Sequence, residues 1–415
     1  MSLPMKTPKK KRPNSRSSAE RSDRERSDSR VPNRPVSDDR HFCWPEVIRR
    51  AAASPFGLST AGGVLVWAAL PPLGWWPLAW LAPFFWLRLL LLDELTGRRP
   101  YVAIWLASAF WWMVVMQGIR LAHWANYFGL LALGCYLGIF FPLFVGIARS
   151  AIHRWRLPLI LIAPVVWTGV ELSRGFGPLS FSMALLGHTQ VNQLIVIQIS
   201  DLFGAYTVSF LIMFVASCVM TTLPSRKRGW VAWPIVPMVF AVFATLAYGW
   251  YRLEQSPPGR SSEPSMRVAL IQGAIDTVFE NPASAQQFLD QYDGLTAQAC
   301  EEFGPLDLVV WPETMFPLPR VLIDESTNVR WQPPWDERTA RDNNIAFDRL
   351  TRSRIRQLNQ DSERHGRKTS WLLGAATLPF CDFAPRRHNS AILFDPAGAI
   401  PSHYSKLPPV IFGEY

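Results

Sequence analysis

The chain has 415 residues, with 42 Lys and Arg against 32 Asp and Glu for a formal charge of +10; 49% of residues are hydrophobic, 18% are charged, and there are 19 Trp and 25 Phe. Uniform disorder and a small disulfide scaffold are excluded by that apolar load. A mean hydropathy of +0.08 is too low for a chain lying wholly in lipid, so polar and apolar regions must be averaged together.

The charge separates by region. Residues 1–55 balance to +7, residues 56–253 to +8 and residues 254–415 to −5. An acidic last region argues against a polyanion-binding surface along the whole chain, and no nucleic-acid partner is expected. The first region carries Pro8-Lys9-Lys10-Lys11-Arg12 and then a Ser/Arg/Asp/Glu-rich stretch almost without apolar residues. Such a segment cannot bury enough surface to offset its chain entropy, and it reads as a disordered basic tail. The basic run fits a solvated tail beside a membrane better than an import signal or an RNA contact.

Apolar runs follow at residues 56–70, 76–92, 101–121, 127–147, 157–172, 205–223 and 230–251. Most approach the ~20 residues that cross a bilayer as a helix, which gives seven candidate spans. Basic residues accumulate in every second connection: Arg98 and Arg99, then Arg149, Arg154 and Arg156, then Arg226-Lys227-Arg228. Lysine and arginine mark the cytoplasmic side, so the basic tail is expected inside and everything after residue 253 outside. No cleavable signal peptide is apparent, and the first run should act as an uncleaved anchor. The outer segment 173–204 mixes Gly-rich pieces with apolar residues, as a segment packed at the interface would. At its boundary, Glu171 and Arg174 at a span end suit either a plain helix-end charge or a substrate role, and His188 suits a packed position better than a ligand.

After a linker at residues 254–265 the pattern becomes that of an α/β domain over 266–415. Strands are predicted at 266–272, 306–311, 370–375, 389–394 and 400–404, with helices at 283–302 and 346–365. The stretch 314–344 shows no period and reads as a long loop. Glu313 follows a predicted strand end in Val309-Val310-Trp311-Pro312-Glu313, where burial would suit a general base; a helix-end or surface acid is the competing reading. Lys406 likewise follows a predicted strand. None of Cys43, Cys135, Cys218, Cys300 and Cys381 has metal-ligand spacing, and neither a metal nor a cofactor is expected. A disulfide between Cys300 and Cys381 is allowed by an oxidising outer compartment, though nothing else points to it.

Together, Ala269-Leu270-Ile271-Gln272-Gly273, Val310-Trp311-Pro312-Glu313, His388-Asn389-Ser390-Ala391 and Tyr404-Ser405-Lys406 followed by Phe412-Gly413-Glu414-Tyr415 resemble the bacterial apolipoprotein N-acyltransferases, members of the nitrilase (carbon-nitrogen hydrolase) superfamily. Glu171-Leu172-Ser173-Arg174, Gly187-His188-Thr189-Gln190 and Asp201-Leu202-Phe203-Gly204-Ala205-Tyr206 resemble that family's membrane part, so the likeness runs from about residue 56 to the end. It implies a multi-span α-helical membrane bundle followed by an extracytoplasmic α/β domain of αββα nitrilase-like type, in a bacterial inner membrane. It also implies Glu313 as base, Lys406 as oxyanion-stabilising lysine and Glu414 as a supporting acid. The acyl donor would be a phospholipid and the acceptor a diacylglyceryl lipoprotein.

Two departures accompany the resemblance. Pro408-Pro409-Val410-Ile411 replaces the family's usual run between lysine and acid, and all five cysteines precede Lys406, whereas the family's nucleophile follows it. The expectation is therefore a C-terminally truncated member with an incomplete α/β domain, inactive alone unless a separate chain supplies the missing segment. A non-catalytic, transporter-like scaffold that binds lipid or lipoprotein is the alternative from another class.

Overall fold

The computed structural model describes residues 53–121, 123–176, 180–224, 229–255, 265–274, 285–304, 306–323, 329, 331, 333–363, 368–380 and 387–406. The basic tail, Arg226-Lys227-Arg228, most of the linker, Cys381 and Glu414 lie outside these residues.

Each of the seven apolar runs contains a helix. They are α1 (Pro55–Ala69), α2 (Leu78–Leu91), α3 (Pro100–Val115), α4 (Asn126–Gly138) continuing into α5 (Phe140–Arg149), α6 (Leu159–Arg174), two short turns α7 (Leu194–Ile197) and α8 (Ser200–Phe203), then α9 (Ala205–Thr222) and α10 (Ile235–Gln255). Ser54 caps α1 by accepting the Gly57 N–H at 3.0 Å, and Pro55 fills the first helical position, where its missing N–H costs nothing. The break between α4 and α5 falls just before Pro142, which has no N–H to donate to the carbonyl four residues earlier, that of Gly138.

Among the described residues, three helical stretches are long and apolar enough to cross a membrane by length and composition: Asn126–Arg154, Ala205–Thr222 and Ile235–Gln255. The helices in the other four runs have 14 to 16 residues. Phe110, Leu131, Val236, Phe240 and Phe243 are exposed on helix surfaces, a solvent-facing apolar load that suits lipid. The exposed tryptophans cluster near helix ends. Trp75 and Trp124 lie in connections of one parity and Trp155, Trp230 and Trp233 in those of the other, as two interfacial aromatic belts would require.

Inside the bundle, Leu87, Leu89, Leu90, Ile104, Phe144, Val145 and Ile212 are fully buried. Small residues let backbones approach: a methyl group on Gly138 would lie 2.9 Å from the Ala109 backbone, so α3 and α4 cross closely only because that position is glycine.

The C-terminal part is a five-stranded mixed sheet in the order β1-β2-β3-β4-β5: β1 (Val268–Leu270), β2 (Leu308–Ile323), β3 (Ser370–Phe380), β4 (His388–Phe394) and β5 (Ser402–Ser405). The β1–β2 and β2–β3 pairs are parallel, joined through α11 (Ala285–Phe303) and α12 (Glu337–Glu363). The β3–β4 and β4–β5 pairs are antiparallel. Alternate residues Val309, Trp311, Trp371, Leu373, Ile392 and Phe394 are buried in one core with Tyr292 of α11 and Phe347 of α12. On the opposite face Val268 and Leu270 are exposed, while Val310 and Leu372 are only half-buried.

One expectation is corrected by this sheet. The stretch 314–344 is not one long loop, because β2 runs on to Ile323 and α12 begins at Glu337. Prolines 312, 317 and 319 hide the alternation, and β2 slips register against β3 twice, between Trp311 and Phe316 and between Phe316 and Arg320.

Candidate active site

Where β2 first slips register, Glu313 turns out of the sheet. Pro312 cannot donate to the ladder, and Thr314 adopts a left-handed φ of 59°, uncommon for a β-branched residue and costing about 1–3 kcal/mol. Gly374 of β3 makes the local approach possible, since a methyl group there would run into the Pro312 carbonyl.

Three side chains close around Glu313. Thr314 Oγ1 donates to Asn389 Oδ1 at 3.0 Å, which orients the amide so that its Nδ2 donates to Glu313 Oε1 at 2.9 Å. Lys406 Nζ donates to the same oxygen at 2.9 Å. Lys406 reaches this position because the chain continues one residue past Ser405 along β4, its backbone N–H donating to the Asn389 carbonyl at 2.8 Å. Glu313, Asn389 and Lys406 line an open cleft of about 360 Å³, with Val310, Leu372, Ala391 and Tyr404 also in its wall.

Contrary to the expected burial, the Glu313 side chain is 54% exposed and Lys406 is 37% exposed. An ion pair this open adds little to stability. What it offers is chemical: a carboxylate able to accept a proton beside a cation able to oppose developing negative charge.

In the bundle, Glu171 and Arg174 are both buried. Glu171 Oε1 accepts the Leu186 N–H at 2.8 Å, and Ser209 Oγ accepts that of Gly187 at 2.8 Å. Arg174 donates to the carbonyls of Phe181 and Met183, each at 3.0 Å, and stacks over Trp112 at 4.7 Å. Gln190 accepts from Trp80 Nε1 at 3.1 Å. The segment holding His188 is thus packed against the helices, with the Leu185 N–H donating to His188 Nδ1 at 3.4 Å.

Residues 62–218, α1 through most of α9, match the family model described as the apolipoprotein N-acyltransferase N-terminal domain. The apolipoprotein N-acyltransferase of Rhodopirellula baltica is 31% identical over 287 residues, covering 62% of this chain and 48% of that protein. That of Geobacter metallireducens is 31% identical over 277 residues, covering 63% of this chain and 51% of that protein. The chain is related to the apolipoprotein N-acyltransferases. It spans about half the length of these curated relatives.

Among the site residues expected from this family likeness, Glu313 and Lys406 meet in one cleft, and Glu414 lies outside the described residues. Cys300 sits on α11, packed against the sheet core. Thr314 and Gly374 do not stand out in the sequence as site residues. An isolated glycine inside a strand is the signal that could reveal Gly374, because it marks close backbone approach. Asn389 stands in the sequence only as part of a motif; its bridging role needs the β3–β4 register that places it opposite Ala376.

Proposed function

We propose that this chain supplies the membrane bundle and the base-and-lysine half of an apolipoprotein N-acyltransferase site, on an αββα nitrilase-like domain. The observation that carries the reading is the Glu313–Lys406 pair in an open cleft, on a chain whose helical part matches the family model. In this reading Glu313 takes the proton of a cysteine thiol, and the thiolate attacks the ester carbonyl of a phospholipid acyl chain. Lys406 opposes the negative oxygen, Glu313 returns the proton to the departing lysophospholipid oxygen as the ester C–O bond breaks, and a thioester remains. The α-amine of a diacylglyceryl-cysteine lipoprotein then displaces the thiolate, with Glu313 again handling the proton and Glu414 as a supporting acid.

The thiolate donor in family order follows Lys406, and a segment carrying it completes the site, whether in the same polypeptide or in a separate one. The protein sits in a bacterial inner membrane as a multi-pass bundle of about seven helices, its N-terminus cytoplasmic and its sheet domain periplasmic. That arrangement lets both lipid substrates approach from the bilayer.

The test joins this chain to the part of the Rhodopirellula baltica relative that lies beyond the matched region. Transfer of acyl chains from phosphatidylethanolamine vesicles to a diacylglyceryl-cysteine peptide is then followed. Transfer that disappears in Glu313→Gln and Lys406→Met supports the reading. Transfer that survives Glu313→Gln overturns it, and lipopeptide binding without any transfer favours a non-catalytic lipid-binding scaffold.

A further inference from the structure

The ends of α1 and α3, the segment from Met183 to Val191 and the start of α9 surround an open cavity of about 460 Å³ at one end of the helical bundle. That is within the ~300–1,000 Å³ of small-molecule sites. Leu70, Val115, Met116, Met183, Val191 and Ile197 make its wall apolar, and among the described residues no Lys, Arg, Asp or Glu lines it. Its polar side chains are the imidazole of His188 and the hydroxyl of Ser200.

The wall carrying His188 is held in place from behind. Gly187 lies so close to α9 that a methyl group there would run into the Ala205 carbonyl, and its N–H is taken by Ser209 Oγ. The Leu185 N–H donates to His188 Nδ1, which can accept only as an unprotonated nitrogen. Burial and the nearby Arg174 guanidinium hold the His188 pKa below its ordinary 6.5, so the ring is neutral at pH 7 and its one N–H is on Nε2. With Nδ1 turned back to the backbone, the far edge of the ring carries that donor, and Nε2 is not among the polar atoms shut off from solvent.

Depth and chemistry together define the occupant. The cavity is level with the helix ends, where the exposed Trp75 and Trp124 mark an interfacial belt. At that level the apolar chains of membrane lipids meet their ester groups. A charged headgroup would find no counter-charge in the wall, and a metal ion would find one imidazole and no carboxylate. An extended peptide would bring an N–H and a C=O with each residue and find few partners for them. One carbonyl at the head of a long apolar chain matches both the wall and the donor.

We propose that this cavity takes an acyl chain of a membrane phospholipid, with His188 Nε2–H donating to the ester carbonyl of that chain. Met116 and Met183, unbranched and polarisable, suit a wall that meets a flexible chain. The site shares no lining residue with the Glu313–Lys406 cleft, and it holds whether or not acyl transfer occurs.

The test titrates the full chain in detergent with a diester phosphatidylcholine and with its diether analogue, and native mass spectrometry counts the bound lipids. The added hydrogen bond should make the first diester adduct roughly 3- to 10-fold tighter than the first diether adduct. His188→Phe should erase that difference, and His188→Gln, which keeps an N–H donor, should retain part of it. Val191→Trp, which fills the cavity, should weaken both adducts. Equal affinities in the parent chain overturn the proposal, as do a diester preference that survives His188→Phe and adducts untouched by Val191→Trp. If a variant fails to fold, the diester-to-diether ratio of the parent chain still decides.

Discussion

Lys406 Nζ lies 2.9 Å from Glu313 Oε1 across 93 residues of sequence. What brings them together is Asn389, whose carbonyl takes the Lys406 N–H while its side-chain amide holds the same carboxylate oxygen. Asn389 is therefore a positioning residue for the pair. A hydrogen bond to a charged group contributes about 1.5–3 kcal/mol. Asn389→Ala in the joined protein described above should slow acyl transfer roughly 10- to 100-fold, with little change in melting temperature because the pair is exposed. An unchanged rate would remove Asn389 from the site.

Gly374 tests the backbone that carries Glu313. A methyl group there meets the Pro312 carbonyl and the Glu313 Cα, neither of which is a flexible side-chain end. Overpacking of this kind costs about 1–3 kcal/mol. Gly374→Ala should lower thermal stability by that amount and also displace Glu313, so transfer should fall further than in a core variant of equal stability loss. Comparing the two variants by melting and by rate separates these effects.

The helices are legible in the sequence because apolar runs need no knowledge of partners. All seven runs contain helices, and α11 (Ala285–Phe303) begins and ends within two residues of its predicted bounds. Glu313 and Lys406 stand out only as isolated residues after strands, and family likeness supplies their pairing. The sheet is less legible where tertiary pairing overrides local pattern. Beyond Trp311, β2 carries three prolines and two register slips, so alternation fails there although the strand continues. Apolar periodicity places the start of α12 nine residues late, although Asp336 and Thr339 form a reciprocal cap that stands in the sequence: Thr339 N–H donates to Asp336 Oδ1 at 2.7 Å, and Asp336 N–H to Thr339 Oγ1 at 2.8 Å.

That cap gives a pH prediction. The Thr339 N–H, with its hydroxyl, holds the Asp336 carboxyl below its ordinary value of 3.8. A depressed carboxyl contributes stability that is present above the unfolded value and is lost as pH falls through the folded one. Asp336→Asn keeps a capping oxygen but cannot titrate. Melting curves of parent and variant should run parallel from pH 7 to 5, and the parent should lose ground relative to the variant below about pH 4. Parallel curves down to pH 3 would show that this cap does not titrate.

In the sheet core, Trp311 Nε1 donates to Thr296 Oγ1 at 3.1 Å, and both residues are buried. Thr296→Val keeps the volume and strands the indole N–H, at a cost of about 1–3 kcal/mol. Thr296→Ser, which keeps the hydroxyl, should lose less. Denaturant titration of the two variants decides the matter: a Thr296→Val variant as stable as the parent would mean the hydrogen bond contributes nothing, and equal losses would mean hydroxyl and methyl contribute alike.

Arg149 reads in the sequence only as a charge that orients the bundle, yet it also finishes a helix. Its Nη1 donates to the carbonyls of Leu89 at 2.7 Å and Leu92 at 2.6 Å, and its Nη2 to that of Asp93 at 3.1 Å. Leu89 lies in the last turn of α2 and Leu92 and Asp93 just beyond it, where carbonyls lack helical partners and the helix dipole is negative. A guanidinium reaches three carbonyls at once through its planar fork, which a lysine ammonium on a flexible stem does less well. Arg149→Ala should destabilise the detergent-purified chain by about 1–2 kcal/mol. Arg149→Lys should recover only part of that loss while keeping the charge that sets orientation. If lysine restores the full melting temperature, charge near the end of α2 is sufficient and the forked hydrogen bonding contributes nothing measurable.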